Sequence, residues 1–225
     1  VALSYPEAAS FYPLAKTALV GQPIRDIYLP PQNYKRNAPS RERPVILVLC
    51  GSQGSQRVNE MILKILPLLL NTYDIVHQVG PTNFDEVKKI STEMLKNHKF
   101  KDHYFSAGFI DLSLFYSKVD MVITRGSSAM FEIALWQLPM LVIPIPETIS
   151  RDQRSNAYAM AGRGVALVLE EDNIGNATLL AEISSILNNK ENYIKMSLTG
   201  LTFQNSTLAA ITIVRELLRI CLSHS

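Results

Sequence analysis

The chain has 225 residues, with 22 Lys and Arg against 20 Asp and Glu and a formal charge of +2. Charged residues at 19% and apolar residues at 47% exclude a disordered chain, and so small a basic excess leaves no electrostatic footprint for nucleic acid. No apolar run approaches the ~18–20 residues of a membrane span. The two cysteines, Cys50 and Cys221, are too far apart in sequence to suggest a zinc pattern or a disulfide framework.

The first 44 residues carry two short strand-like segments, Val1–Leu3 and Thr17–Val20. Gly21-Gln22-Pro23 follows, then a polar stretch from Pro30 to Pro44 that reads as a linker. From Val45 onward the pattern alternates. Strands are expected at Val45–Leu49, Asp74–Gln78, His103–Ser106, Val119–Thr124, Met140–Ile145 and Val165–Leu169. Helical periodicity falls on Ser55–Leu70, Phe84–Asn97, Asp111–Ser117, Ser128–Trp136, Asp152–Gly162 and Ala177–Leu187. This alternation indicates an α/β chain with a mostly parallel sheet and helices on both faces. The strands are nearly continuous apolar runs, as strands covered on both sides are. The tail, Thr207–Leu222, is an amphipathic helix whose Leu208, Ile211, Ile213, Val214, Leu217, Leu218 and Ile220 are expected to pack into the core. The opening VALSYPE, with no initiating Met, reads as a piece of a longer chain.

Ligands of such sheets bind beyond the carboxyl ends of the strands, so the loops there carry the chemistry. Cys50-Gly51-Ser52-Gln53-Gly54-Ser55 joins a strand to a helix. Its glycines allow a tight turn and close approach to backbone N–H groups at a helix N-terminus, where a phosphate is favoured. The spacing is neither GxGxxG nor a P-loop, and an ordinary strand–helix turn fits it as well. The second loop, Thr124–Ala129, contains Arg125, Gly126, Ser127 and Ser128, and Glu132 falls in the next helical turn. A carboxylate there either complements the helix dipole or accepts from two ribose hydroxyls. The third, Ser150–Ala157, places Gln153 and Asn156 three residues apart on one helix face. Neutral amides suit sugar hydroxyls, and they also suit a solvated helix start. The fourth, Gly108-Phe109-Ile110-Asp111, has backbone groups able to pair with a base edge, while Phe109 or Ile110 packs on its face or simply joins the core. The chain has no Asp-x-Asp, no GxSxG and no Cys/His constellation. Its histidines, His77, His98, His103 and His224, are scattered and read as structural or solvated.

Taken together the segments resemble the MurG family of N-acetylglucosaminyltransferases. GSQGSQRVNE (51–60) is similar to the family's GGSQGAxxxN, GQPIR (21–25) to its GNPVR, and QRSNA (153–157) to its QxxNA. Residues 107–146 are similar to its F-I-D to (I/V)-P block, and 1–13 to its VAxSFPEA passage. Cys50 stands for the first glycine of GGSQG, Gln22 for the Asn of GNPVR, and the step from Arg125 to Glu132 is one residue shorter.

The resemblance implies a GT-B-type Rossmann-like domain that binds UDP-N-acetylglucosamine and uses neither a cofactor nor a protein-bound metal. It divides the chain into the end of an acceptor domain (1–29), an interdomain linker (30–44), a donor domain (45–206) and a C-terminal helix (207–225). Ile110 would meet the uracil through its backbone and Glu132 the ribose. Arg25, Ser52 and the backbone around Ser127–Met130 would approach the diphosphate, and Gln153 and Asn156 would hold the sugar. The full donor set so implied is Arg25, Ser52, Gln53, Gly54, Phe109, Ile110, Arg125, Gly126, Ser127, Ser128, Ala129, Met130, Glu132, Gln153 and Asn156. The implied reaction is inverting transfer of N-acetylglucosamine to lipid I, giving lipid II. The implied setting is peripheral, on the cytoplasmic face of the bacterial inner membrane. The acceptor, the membrane contact and the catalytic base belong to an N-terminal domain that this sequence lacks, so the chain alone is expected to bind donor without turnover. The other expectations it leaves are a non-catalytic UDP-sugar-binding subunit and another GT-B sugar-nucleotide enzyme, an epimerase or a glycolipid glycosyltransferase.

Overall fold

The computed structural model describes residues 1–51, 53–146 and 151–223. Two short strands, β1 (Ala2–Leu3) and β2 (Ala18–Leu19), pair in parallel. The main sheet contains β3 (Val45–Leu49), β4 (Asp74–Gln78), β5 (Tyr104–Ala107), β6 (Met121–Thr124), β7 (Met140–Val142) and β8 (Ala166–Val168). Their order is β5-β4-β3-β6-β7-β8, every pair parallel. The chain thus winds outward from β3 in one direction and, from β6, in the other. The switch point between β3 and β6 opens a crevice at their carboxyl ends.

Seven helices fill the connections among the described residues: α1 (Gln56–Leu69), α2 (Phe84–Met94), α3 (Ala129–Leu135), α4 (Arg151–Gly162), α5 (Asn176–Leu187), α6 (Lys190–Thr199) and α7 (Ala209–Ser223). Helix α1 starts where Ser55 caps it, the hydroxyl accepting from the Val58 N–H at 3.4 Å. Its Val58, Ile62, Ile65, Leu66 and Leu69 recur at helical spacing and are buried. Alternation along β3 divides the core. Ile46 and Val48 face a cluster with α1 and α5, and Leu47 and Leu49 face one with α3 and α4. A strand so covered has no polar face, which accounts for its uninterrupted apolar sequence.

Two of the expected helices need correction. Asp111–Ser117 is not a helix but a single tight turn at Leu112–Leu114. The Asp111 carboxylate accepts from the Ser113 N–H at 3.1 Å, and this local bond competes with helical pairing. Helix α6 is an addition to the expected elements, its Lys190–Thr199 sequence being largely polar; Asn189 caps it, its Oδ1 accepting from the Asn192 N–H at 3.0 Å. The apolar face of α7 does not enter the core. Leu208 just ahead of it, and Ile211, Val214, Leu217, Leu218 and Ile220 on it, are between 50% and 59% exposed. Strand ends also recede, β6 to Met121–Thr124 and β7 to Met140–Val142.

The stretch 30–44 has no regular helix or strand, yet it is firmly held. The Arg36 guanidinium donates to the carbonyls of Trp136 (2.9 Å), Val119 (2.6 Å) and Tyr116 (2.6 Å). Its backbone N–H donates to Gln137 Oε1 at 3.1 Å, while Gln137 Nε2 donates to the Tyr34 carbonyl at 2.7 Å. The Trp136 indole donates to the Tyr28 carbonyl at 2.7 Å.

Candidate functional site: a cleft at the sheet switch point

A cleft of about 640 Å³ opens where β3, β4 and β6 end. One wall is the glycine loop. Gly51 and Gly54 have φ of +85° and +83°, a region that glycine alone enters freely. A Cβ on Gly54 would strike the Val79 carbonyl and the Asn83 side chain, so this loop and the turn after β4 lie in direct contact. Gln53 and Gly54 line the cleft; Ser52 lies outside the described residues. Helix α1 follows at once, its N-terminal N–H groups supplying positive potential.

The opposite wall comes from the loop after β6. Ser127, Ser128, Ala129 and Glu132 all line the cleft. Burial raises the Glu132 pKa, opposed by a hydrogen bond from Tyr116 and by the charge of Arg25. The Tyr116 hydroxyl donates to Glu132 Oε2 at 2.9 Å. Arg25 is exposed at the rim, donating to the Tyr28 hydroxyl at 2.6 Å.

Arg125 also borders the cleft, but its guanidinium is spent on the protein. It donates to the carbonyls of Ile143 (3.1 Å) and Pro144 (3.2 Å), to the Glu171 carboxylate and to Ser55 Oγ. Arg57 also pairs with Glu171, at 3.1 Å. Arg125 thus binds the cap of α1 to the ends of β6 and β7, and its Nε is buried without a partner. Gly126 and Met130 do not border the cleft: Met130 is wholly buried in the core, and Gly126 is pressed against the Gln153 backbone. Gln153 itself faces the cleft, with a buried Oε1 that has no hydrogen-bond partner. Asn156 does not line it; its Oδ1 accepts from the Tyr5 hydroxyl at 2.6 Å.

The cleft is also bordered by Phe109, which is 70% exposed, and by Ile110, which is buried. Sequence reasoning missed Gln78, Tyr28 and Glu171 here. Gln78 was within reach, being the last residue of β4 and so at a carboxyl end. Glu171 lies after β8, the strand farthest along the sheet from β3, and no local pattern marks it.

Beneath the glycine loop runs a buried polar chain. The Cys50 thiol donates to Asn59 Oδ1 at 3.0 Å and lies 3.4 Å from His77 Nε2; His77 Nδ1 lies 3.0 Å from the Tyr104 hydroxyl. Burial pushes the Cys50 thiol up to about 12 and His77 down to about 3, so both are neutral. Cys50 and Cys221 are free thiols, the first buried and the second exposed. Among the described residues no three His, Cys, Asp or Glu side chains come together to hold a metal ion, and no helix is long and apolar enough to cross a membrane.

A parallel sheet in this order, with a glycine loop and a carboxylate bordering one cleft at its switch point, defines a Rossmann-like α/β domain. The chain is similar in structure to MurG of Acinetobacter baumannii, with a TM-score of 0.63, 20% identity, and 79% of this chain and 51% of that chain covered. It is also similar to Staphylococcus aureus MnaA solved with UDP, with a TM-score of 0.59, 15% identity, and 78% and 46% covered. Residues 45–210 match the glycosyltransferase family 28 C-terminal domain, and the chain belongs to that family. A similar curated protein is the UDP-N-acetylglucosamine–N-acetylmuramyl-(pentapeptide) pyrophosphoryl-undecaprenol N-acetylglucosamine transferase of Shouchella clausii, 36% identical over 85% of this chain and 53% of its own length. Transferase 2 of the same description in Bacillus cereus is 33% identical over 96% of this chain and 59% of its own length. The chain therefore spans little more than half of these curated relatives. The MurG resemblance read from the sequence is borne out.

Proposed function

We propose that this chain is the donor-binding half of an inverting glycosyltransferase that moves N-acetylglucosamine from UDP-N-acetylglucosamine to lipid I. The observation that carries the reading is the cleft itself: the glycine loop, the ionisable Glu132 and the orphaned Gln153 amide oxygen share one cavity. Glu132 accepts from the ribose diol, the Gly51–Gly54 loop and Arg25 face the diphosphate, and Gln153 meets the sugar. The acceptor's C4 hydroxyl attacks the anomeric carbon, the glycosidic bond to UDP breaks, and the hydroxyl proton leaves to a base on the acceptor domain. Negative charge then grows on the leaving diphosphate. Oriented N–H donors and Arg25 stabilise it, each such donor contributing roughly 3–4 kcal/mol. The relatives named above support the acceptor assignment. The same reading makes residues 1–29 the end of that acceptor domain and 30–44 its junction with the donor domain, and sets the enzyme peripherally on the cytoplasmic face of the membrane.

Calorimetry of UDP-N-acetylglucosamine against UDP-glucose, on the chain and on Glu132→Ala, tests the reading. Selective binding that the variant loses supports it. A folded chain that binds neither nucleotide sugar overturns it, and transfer to lipid I by this chain alone overturns the placement of the base elsewhere.

A further inference from the structure

Strand β5 is the outermost strand of the main sheet, paired with β4 on one side. The Val79 N–H donates to the Ala107 carbonyl at 3.0 Å, so Ala107, and Phe105 two residues before it, turn their backbone groups toward β4. Tyr104 and Ser106 therefore point theirs out of the sheet. The Tyr104 N–H turns back to the Lys101 carbonyl. The Tyr104 carbonyl and both backbone groups of Ser106 are left as a template for another strand. The strand itself, Tyr-Phe-Ser-Ala, carries neither the charge nor the proline that commonly blunts such an edge.

A groove of about 440 Å³ lies beside this edge, between α2 and β5. Tyr104 and Ser106 line it from the strand, Lys88 and Lys96 from α2, and Lys101 and Asp102 from the turn that leads into β5. All three lysines are exposed. Among the described residues only Lys96 of the three is ion-paired, with Glu93 at a loose 3.9 Å. The groove thus holds three cations against one carboxylate of its own. On the opposite face of β5, Phe105 is half-exposed and stacks on Phe115, with ring centroids 6.5 Å apart. None of the residues lining this groove borders the cleft.

We infer that β5 is a docking edge for an extended acidic segment of another protein, which adds as a further strand and alternates carboxylates with apolar residues. Its backbone pairs with the Tyr104 carbonyl and with the Ser106 N–H and carbonyl. Side chains alternate along a strand, so every second residue lies over the groove, against Lys88, Lys96 and Lys101. The residues between them lie on the Phe105–Phe115 pair. A second copy of this chain is the poorer occupant, because pairing edge to edge would set lysines against lysines. The inference stands apart from the UDP-sugar reading and uses none of its residues.

The probe is a short end-capped peptide alternating glutamate with valine, titrated into the isotope-labelled chain, with a lysine–valine peptide as control. Amide signals of Tyr104–Ala107 and of α2 are expected to shift with the acidic peptide alone, and exchange of the Ser106 amide to slow. Lys88→Glu combined with Lys101→Glu should weaken binding about tenfold, roughly the worth of two exposed ion pairs. Ser106→Pro removes the outward N–H and leaves the β4 ladder intact, at a place where an edge strand accepts proline, and should abolish binding. Urea transitions establish that the variants are folded; if the proline variant is not, the charge-reversed pair carries the test. No binding of the acidic peptide overturns the inference, as do equal binding of the control, undiminished binding by the charge-reversed pair, or shifts confined to other surfaces. Dimerisation in sedimentation that Ser106→Pro abolishes overturns it too, by making a second copy the occupant.

Discussion

The Tyr116 hydroxyl donates to Glu132 Oε2 across 2.9 Å, from a ring that is wholly buried beneath the cleft. Burial holds the Glu132 pKa above its ordinary value, and the Tyr116 bond pulls the other way. A carboxylate that accepts from a ribose diol must be ionised. UDP affinity is therefore expected to be full above this raised pKa and to fall as pH drops through it. Tyr116→Phe removes a lowering influence and so moves the midpoint to higher pH; a midpoint that moves down contradicts the account. Glu132→Gln should flatten the profile and weaken UDP by about 1.5–3 kcal/mol, the usual worth of hydrogen bonds to a charged group. Calorimetric titrations between about pH 4.5 and 8, spanning the usual carboxylate and imidazole range, read both effects.

His77 is buried neutral, with a pKa pushed down to about 3 from an ordinary 6.5. The unfolded chain takes up a proton below the ordinary value and the folded chain does not. Stability is thus complete above about pH 6.5 and is lost as pH falls from there toward the folded value. Urea midpoints should decline over this interval in the wild type, and less steeply in His77→Asn. Equal slopes in the two proteins would remove His77 as the cause.

Cys50, with its pKa raised to about 12, is expected to resist alkylation in the folded chain, while exposed Cys221 reacts. Mass spectrometry after brief iodoacetamide treatment should show one modified thiol in the native chain and two in urea. Labelling of Cys50 at the same rate as Cys221 would contradict its burial.

Gly51 and Gly54 share a positive φ but differ in their surroundings. A methyl group on Gly51 meets nothing, whereas one on Gly54 meets the Val79 carbonyl. Gly51→Ala should cost about 1 kcal/mol of backbone strain. Gly54→Ala should cost at least about 1–3 kcal/mol, since it adds overpacking to the strain. Urea denaturation measures both; equal losses would mean that the contact between the glycine loop and the turn after β4 is not tight.

Arg36 ties residues 30–44 to three carbonyls of the core. Arg36→Ala should destabilise the chain by about 2–4 kcal/mol, at roughly 1 kcal/mol per lost hydrogen bond. Arg36→Lys should recover less than half of this, because an ammonium cannot reach three carbonyls as a planar guanidinium does. Full rescue by Lys in urea unfolding would show that charge alone suffices.

The sheet was legible in the sequence because β3, β6 and β7 are apolar runs bounded by turn residues, as doubly covered strands are. The loops were legible because the switch-point rule says where to look, and Glu132 and Gln153 indeed reach the cleft. What stayed hidden depends on packing from afar. Arg125 resembles a free cation locally, yet Glu171, 46 residues away, takes up its charge. Asn156 has the spacing of a sugar ligand, yet Tyr5, 151 residues away, takes its oxygen. The exposure of α7 depends on what the fold sets beside it, and no periodicity within α7 reports that.

In mechanical terms the stretch from Pro30 to Pro44 is a bracket rather than a tether. Tyr28 just ahead of it and Tyr34 and Arg36 within it are fastened to Tyr116, Val119, Trp136 and Gln137. A load on the first thirty residues is passed directly to the end of α3, with no slack chain to absorb it. A Gly-Ser segment of equal length would preserve the distance and lose the stiffness.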